Sequence, residues 1–167
     1  MTTRRDIIAF MGALPILSLV GCGQGGDGAS SCGPIVLGDN RSCALCGMTI
    51  GNFPGPKGQA CLDGDKTLGF CSTNDLLSWA WQPESGPRIN ALYVHDLSAT
   101  GWKAPGQDDW ILADKAWYVT GHDRKGAMGH SPAPFSSKAD AQAFASSHGG
   151  NVLAFADLDW DALKAPS

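Results

Sequence analysis

The first strong pattern along the chain is an apolar run from Ala9 to Val20, preceded by Arg4-Arg5 and closed by Gly21-Cys22. It is too short to span a bilayer comfortably as a helix, and a basic start, a short apolar stretch and small residues at its end read as an export signal. Gly23 to Ser31 follows, a Gly- and Ser-rich stretch with nothing to bury, which reads as a flexible tether. Regular patterning then begins. Gln59–Leu62 and Thr67–Cys71 read as short strands around the turn Asp63-Gly64-Asp65. Ser72 or Thr73 is placed to cap a helix from Asn74 to about Gln82, and Ile89–Val94 alternates as a strand. A loop with Trp102, Pro105, Gly106 and Trp110 intervenes. Lys115–Gly121 is the next strand candidate and Asp123–Gly129 a turn. A helix opening after Phe135 runs to the stop Gly149-Gly150, and Asn151–Leu158 is a last strand.

The two halves of this pattern resemble each other. Phe70-Cys71-Ser72-Thr73-Asn74-Asp75 parallels Phe135-Ser136-Ser137-Lys138-Ala139-Asp140, each opening a helix. Ala91 to Leu97 parallels Val152 to Leu158. The fold class that follows is α+β, with two ββαβ-like units in one domain. Gly47-Met48 precedes the first unit and Ala127-Met128-Gly129-His130 precedes the second, so pseudo-two-fold packing would carry both methionine turns to one end of the fold.

Composition sharpens this picture. Of 167 residues, 43% are hydrophobic, enough for a core, and 17% are charged. The formal net charge is −4, which excludes the basic footprint of a nucleic-acid binder. Six cysteines in an exported chain meet an oxidising compartment. Setting Cys22 aside leaves five, Cys32, Cys43, Cys46, Cys61 and Cys71, so at least one thiol is outside any internal disulfide. Cys61 and Cys71, two short strands apart, read either as a disulfide or as a pair of buried thiols. Cys32, in the tether, reads as having no specific role.

The densest candidate chemistry is Cys43-Ala44-Leu45-Cys46-Gly47-Met48. Thiolate and thioether are soft donors that select Cu(I) over hard ions, and a thioether needs no deprotonation. Zinc seldom takes methionine, and no second Cys-x-x-Cys pair completes a structural zinc site. Gly47 after Cys46 excludes a c-type haem motif. Met48 and Met128 are the only methionines after the export signal; both lie in glycine-flanked turns rather than in the apolar runs where core methionines act as fillers. His130 is within reach of the Met128 turn and is a sensible further copper ligand. Cys71 sits at a helix start that stabilises a thiolate. His95 and His148 read as structural, and His122, in a polar turn, as solvated.

Leu19-Val20-Gly21-Cys22 resembles a bacterial lipobox. Together with Cys43-Ala44-Leu45-Cys46-Gly47-Met48, Pro54-Gly55-Pro56-Lys57, Tyr93-Val94-His95-Asp96, Gly126-Ala127-Met128-Gly129 and His148-Gly149-Gly150, it resembles the NosL family over nearly the whole mature chain. The resemblance implies a signal peptide over 1–21 and a lipid on Cys22, followed by a tether over 22–33 and a copper-binding domain over 34–167. It implies a fold similar to the N-terminal part of organomercurial lyase, and a Cu(I) metallochaperone anchored to a membrane of the cell envelope and facing the periplasm. Its partners would be nitrous oxide reductase and the reductase's maturation machinery. Cys46, Met48 and Met128 carry over as copper ligands, Cys43 matches the motif, and His130 joins them by proximity. Arg4-Arg5 leaves twin-arginine export open beside the general route. Two other readings compete: a thiol-disulfide redox protein using Cys43 and Cys46, and a lyase-like enzyme suggested by fold analogy alone. No nucleophile, base and orienting group recur together, which weighs against catalysis.

Overall fold

A computed structural model describes residues 32–38, 40–103 and 106–164. The export signal, Cys22 and the tether up to Ser31 lie outside the described residues. Strand β1 (Gly58–Leu62) turns through Asp63-Gly64-Asp65 into β2 (Lys66–Phe70), and helix α1 (Thr73–Ala80) leads on to β3 (Ile89–His95). Strand β4 (Trp110–Leu112) completes a four-stranded sheet in the order β2-β1-β3-β4. Strands β5 (Trp117–Thr120) and β6 (Ala133–Phe135), helix α2 (Lys138–His148) and β7 (Asn151–Ala154) then build a second sheet in the order β6-β5-β7. In each unit the first strand is central and pairs antiparallel with the second on one side and the third on the other. The chain is therefore α+β and carries the expected ββαβ unit twice.

The helix starts repeat as their sequences do. Ser72 accepts a hydrogen bond from the Asp75 N–H at the mouth of α1, and Ser137 accepts one from the Asp140 N–H at the mouth of α2. Each cap satisfies a donor that the helix itself leaves unpaired. At the far end of α2, Gly149 and Gly150 both take positive φ and stop the helix where the glycine pair placed its end. The last strand is shorter than its apolar pattern: it ends at Ala154, a single 3-10 turn covers Phe155–Asp157, and α3 (Trp160–Lys164) follows.

Strand β1 is buried along its whole length because both of its faces are covered. Ala60 and Leu62 point into the main core with Phe70, Leu76, Leu77 and Val94. Gly58 makes the close approach of α1 to β1 feasible: a Cβ there would fall 2.6 Å from the Leu76 Cβ. On the opposite face Gln59 and Cys61 hold the segment that enters the domain. The Gln59 side chain accepts from the Ile35 N–H at 3.0 Å and donates to the Ile35 carbonyl at 2.6 Å, replacing a strand partner with an amide. Cys61 forms a disulfide with Cys32. This corrects the sequence reading of Cys32 as idle and excludes the Cys61–Cys71 bridge, since Cys71 is a free thiol. The alternation of β1 explains the outcome: Cys61 faces the entering segment, whereas Cys71 follows β2 and lies at the other end of the hairpin.

The units share one core rather than standing apart. Tyr118 of β5 is fully buried among first-unit side chains, while its neighbour Val119 joins Phe135, Ala141 and Phe144 beneath α2. The period-two alternation of one strand thus stitches both layers together.

Candidate metal centre

The Cys43–Met48 segment is a tight loop closed on itself. Ser42 and Thr49 form an antiparallel bridge, the Cys43 N–H donates to the Met48 carbonyl at 2.8 Å, and the Gly47 N–H donates to the Cys43 carbonyl at 3.0 Å. Gly47 has φ of 75°, a conformation that glycine adopts without strain. The Ala44 N–H donates to the Gly69 carbonyl at 2.9 Å and so docks the loop on β2, beside the mouth of α1.

Four groups converge there. Cys43 and Cys46 come from the loop, Cys71 from the residue before the α1 cap, and Asp75 from its first turn; their ligand atoms all lie within 4.8 Å of one another. The Cys46 and Cys71 sulfurs are 3.3 Å apart, and the Cys71 Sγ is 2.7 Å from an Asp75 carboxylate oxygen. That same oxygen is 3.9 Å from the sulfurs of Cys43 and Cys46. Cys43, Cys71 and Asp75 are buried and Cys46 is half-buried, so the cluster is open on the Cys46 side, where Leu45 stands exposed.

Its electrostatics concentrate negative charge on one sulfur. The Cys43 thiol is pushed down to about 4, chiefly by a hydrogen bond from Cys71 and further by backbone donors, against the effect of burial. Cys71 is pushed far up by the same hydrogen bond, by burial and by Asp75, so it keeps its proton between two acceptors. Burial raises Cys46 and Asp75. A preformed thiolate flanked by two thiols and a carboxylate can exchange protons for a soft cation.

Lys57 closes the rear of this mouth. Its ammonium donates to the carbonyls of Phe53 at 2.6 Å, Pro54 at 3.3 Å and Cys71 at 3.3 Å. Burial pushes it down to about 8, with the neighbouring Cys71 acting in the other direction. The backbone of Lys57 is held in turn by His95, whose Nδ1 accepts the Lys57 N–H at 3.2 Å and whose backbone N–H donates to the Lys57 carbonyl at 3.2 Å. His95 is buried against Trp110, in keeping with its reading as a structural histidine.

The other expected ligands have distinct surroundings. Met48 is half-buried against the main core beside Cys46. Met128 is 55% exposed at the tip of a turn closed by hydrogen bonds between Gly126 and Gly129, and that turn lies between β5 and β6, inside the second unit rather than ahead of it as the sequence reading had it. That turn packs on the mouth of α1, where the Ser131 hydroxyl accepts from the Asn74 N–H at 3.2 Å. His130 lies outside the four-group cluster and lines a small cleft with Thr120, His122 and Ser131. His122 is 2% exposed, which corrects its reading as a solvated side chain. Its Nδ1 accepts from the Arg124 N–H, leaving Nε2 to donate to the Ser131 carbonyl at 2.9 Å. His122 thus braces the turn that carries Met128.

Sequence reasoning found two members of the cluster and undervalued the others. Cys71 was visible as a cysteine placed directly before a helix cap, but the loop thiol it meets, Cys46, is 25 residues away. Asp75 stood in the sequence only as the end of a helix-opening segment, in the place that Asp140 takes in the parallel segment, which has no cysteine.

Comparison with known proteins agrees with this architecture. The NosL family model matches residues 34–163. The copper-binding lipoprotein NosL of Stutzerimonas stutzeri is 42% identical over 154 residues, covering 92% of this chain and 80% of that protein. The protein of the same name from Achromobacter cycloclastes is 40% identical over 162 residues, covering 95% and 82%. The crystal structure of the copper chaperone NosL from Shewanella denitrificans superposes with a TM-score of 0.72 at 39% identity, covering 74% of this chain and 93% of that one. With its family model, its relatives and its fold in agreement, the chain belongs to the NosL family.

Proposed function

We propose that this chain is a Cu(I) metallochaperone: a lipoprotein anchored through Cys22 to a membrane of the cell envelope, facing the periplasm, that delivers copper for maturation of nitrous oxide reductase. The observation that carries the copper reading is the convergence of three free thiols and a carboxylate at the α1 mouth, two of the thiols on the loop that also carries Met48. Its relatives are named as copper-binding and copper chaperone proteins, and the donor set is soft throughout apart from Asp75. Cys43, Cys46, Met48 and Met128 hold the ion in this reading, with His130 as a further donor and Cys71 and Asp75 completing the inner wall. A carrier must bind tightly and still release, and the open Cys46 side of the cluster suits ligand exchange with a partner. Delivery to the reductase and its maturation machinery rests on the family resemblance.

The test is a Cu(I) titration of the chain against a competing chelator under reducing conditions, with sulfur-edge X-ray absorption on the same sample. One equivalent bound tightly, with both thiolate and thioether bonds, is expected. Replacing Met48 and Met128 together by Leu should weaken binding by several orders of magnitude. An unchanged affinity would remove the thioethers from the site, and no binding by the parent chain would remove the copper reading altogether. Transfer is read separately, by mixing the loaded chain with copper-free nitrous oxide reductase and its maturation proteins.

A further inference from the structure

Lys57 is an anomaly in the fold. It is only 6% exposed, yet its ammonium is held by three backbone carbonyls, and among the described ion pairs none includes it. Burying an ammonium costs several kcal/mol unless opposite charge or good hydrogen bonds offset it. An apolar residue would leave the three carbonyls unpaired and a neutral amide could donate to them, and neither would require a cation to be desolvated at this position. The negative charge that lies nearby is the thiol cluster, and one of the three carbonyls belongs to Cys71 itself.

We infer that Lys57 is a specificity-determining residue, a built-in counter-cation that biases the cluster toward a monovalent soft ion over a divalent one. It rests on the copper reading above and adds a reason for the charge of the cargo. For one set of deprotonated ligands, the attraction between the ammonium and the sulfurs is the same whichever ion is bound. Its repulsion of the ion scales with the ion's charge. The difference between a monovalent and a divalent guest is therefore one unit-charge repulsion. Across the short distance from the Cys71 carbonyl to the cluster, in a partly exposed site, that is worth about tenfold in relative affinity. Lys57 touches no ligand atom in this arrangement and acts through the field it sets up.

The experiment measures Cu(I) and Zn(II) affinities of the full mature chain in detergent, anaerobically and at one pH, for the parent, Lys57→Gln, Lys57→Met and Lys57→Arg. The Gln and Met variants should shift the ratio of the two affinities about tenfold toward Zn(II), and Arg should restore the parental ratio. A purely structural role for Lys57 lowers both affinities together and leaves the ratio unchanged, which overturns the inference. If Lys57→Met does not fold, Lys57→Gln decides, because its amide still donates to the carbonyls. Absence of Cu(I) binding by the parent would instead mark failure of the copper reading, a result distinct from an unshifted ratio.

Discussion

Removing the Cys32–Cys61 bridge tests the fold at a point remote from the cluster. The two cysteines are separated by 29 residues along the chain. Loop-closure entropy for a cross-link of that length amounts to about 3.5 kcal/mol of stability drawn from the unfolded state. The bridge also holds residues 32–37 over the Gln59 face of β1, where the Gln59 amide and the Tyr93 hydroxyl add polar ties. Replacing both cysteines by alanine should therefore lower the stability of the domain by about 3 kcal/mol and its Tm by roughly 10 °C. Differential scanning calorimetry of the parent and the double variant measures this directly. Cu(I) affinity serves as the internal control and should be unchanged, because Cys61 faces away from the α1 mouth. A loss of less than about 1 kcal/mol would refute the clamp, and a large loss of copper affinity would refute its independence from the site.

Three further outcomes follow from the buried groups. Cys43, held down at about 4, should retain ultraviolet thiolate absorbance at pH 6, and Cys43→Ser should abolish it; a first appearance only above pH 8 would contradict the cluster's charge pattern. A thiol lowered in the fold contributes stability that is complete above its ordinary value near 9 and is lost as pH falls toward 4. Burial, aided by Lys57, pushes His95 down to about 3, so its neutral form favours folding above the ordinary histidine range and that contribution is lost on acidification. Between pH 7 and 5 this amounts to about 2 kcal/mol, and His95→Gln should flatten that part of a denaturant-melt pH profile. Gly58→Ala would drive a methyl into Leu76, and should cost about 2 kcal/mol or more in a denaturant melt. An unaffected midpoint would mean that α1 can move off β1.

Much of the fold was legible because its signals are local. Serine caps, glycine stops and the alternation of Ile89–Val94 each act within a few residues, and their duplication exposed the two units before any contact was known. The site was half legible for the same reason. Cys43 and Cys46 sit in one loop, whereas Cys71 and Asp75 join them only after β1 and β2 pair and α1 docks on Gly58. The Cys32–Cys61 bridge was hidden because partner choice depends on which face of β1 a side chain takes, and on a segment whose composition resembles a linker. His122 was misread because a polar turn can fold inward when its backbone donors are met by a ring nitrogen.

The Ser131 contact with the first turn of α1 bears on how this chemistry could be moved to another protein. The Cys43–Met48 loop is not a portable metal-binding peptide: grafted elsewhere it carries two thiols and one thioether, without the inner wall. The first ββαβ unit alone would restore Cys71 and Asp75 but lack the Ser131 hydroxyl that meets the first turn of α1 and the histidine that holds Ser131 in place. The smallest transplantable part is the pair of units, which makes the seam between them, rather than the Cys-x-x-Cys motif, the unit of design.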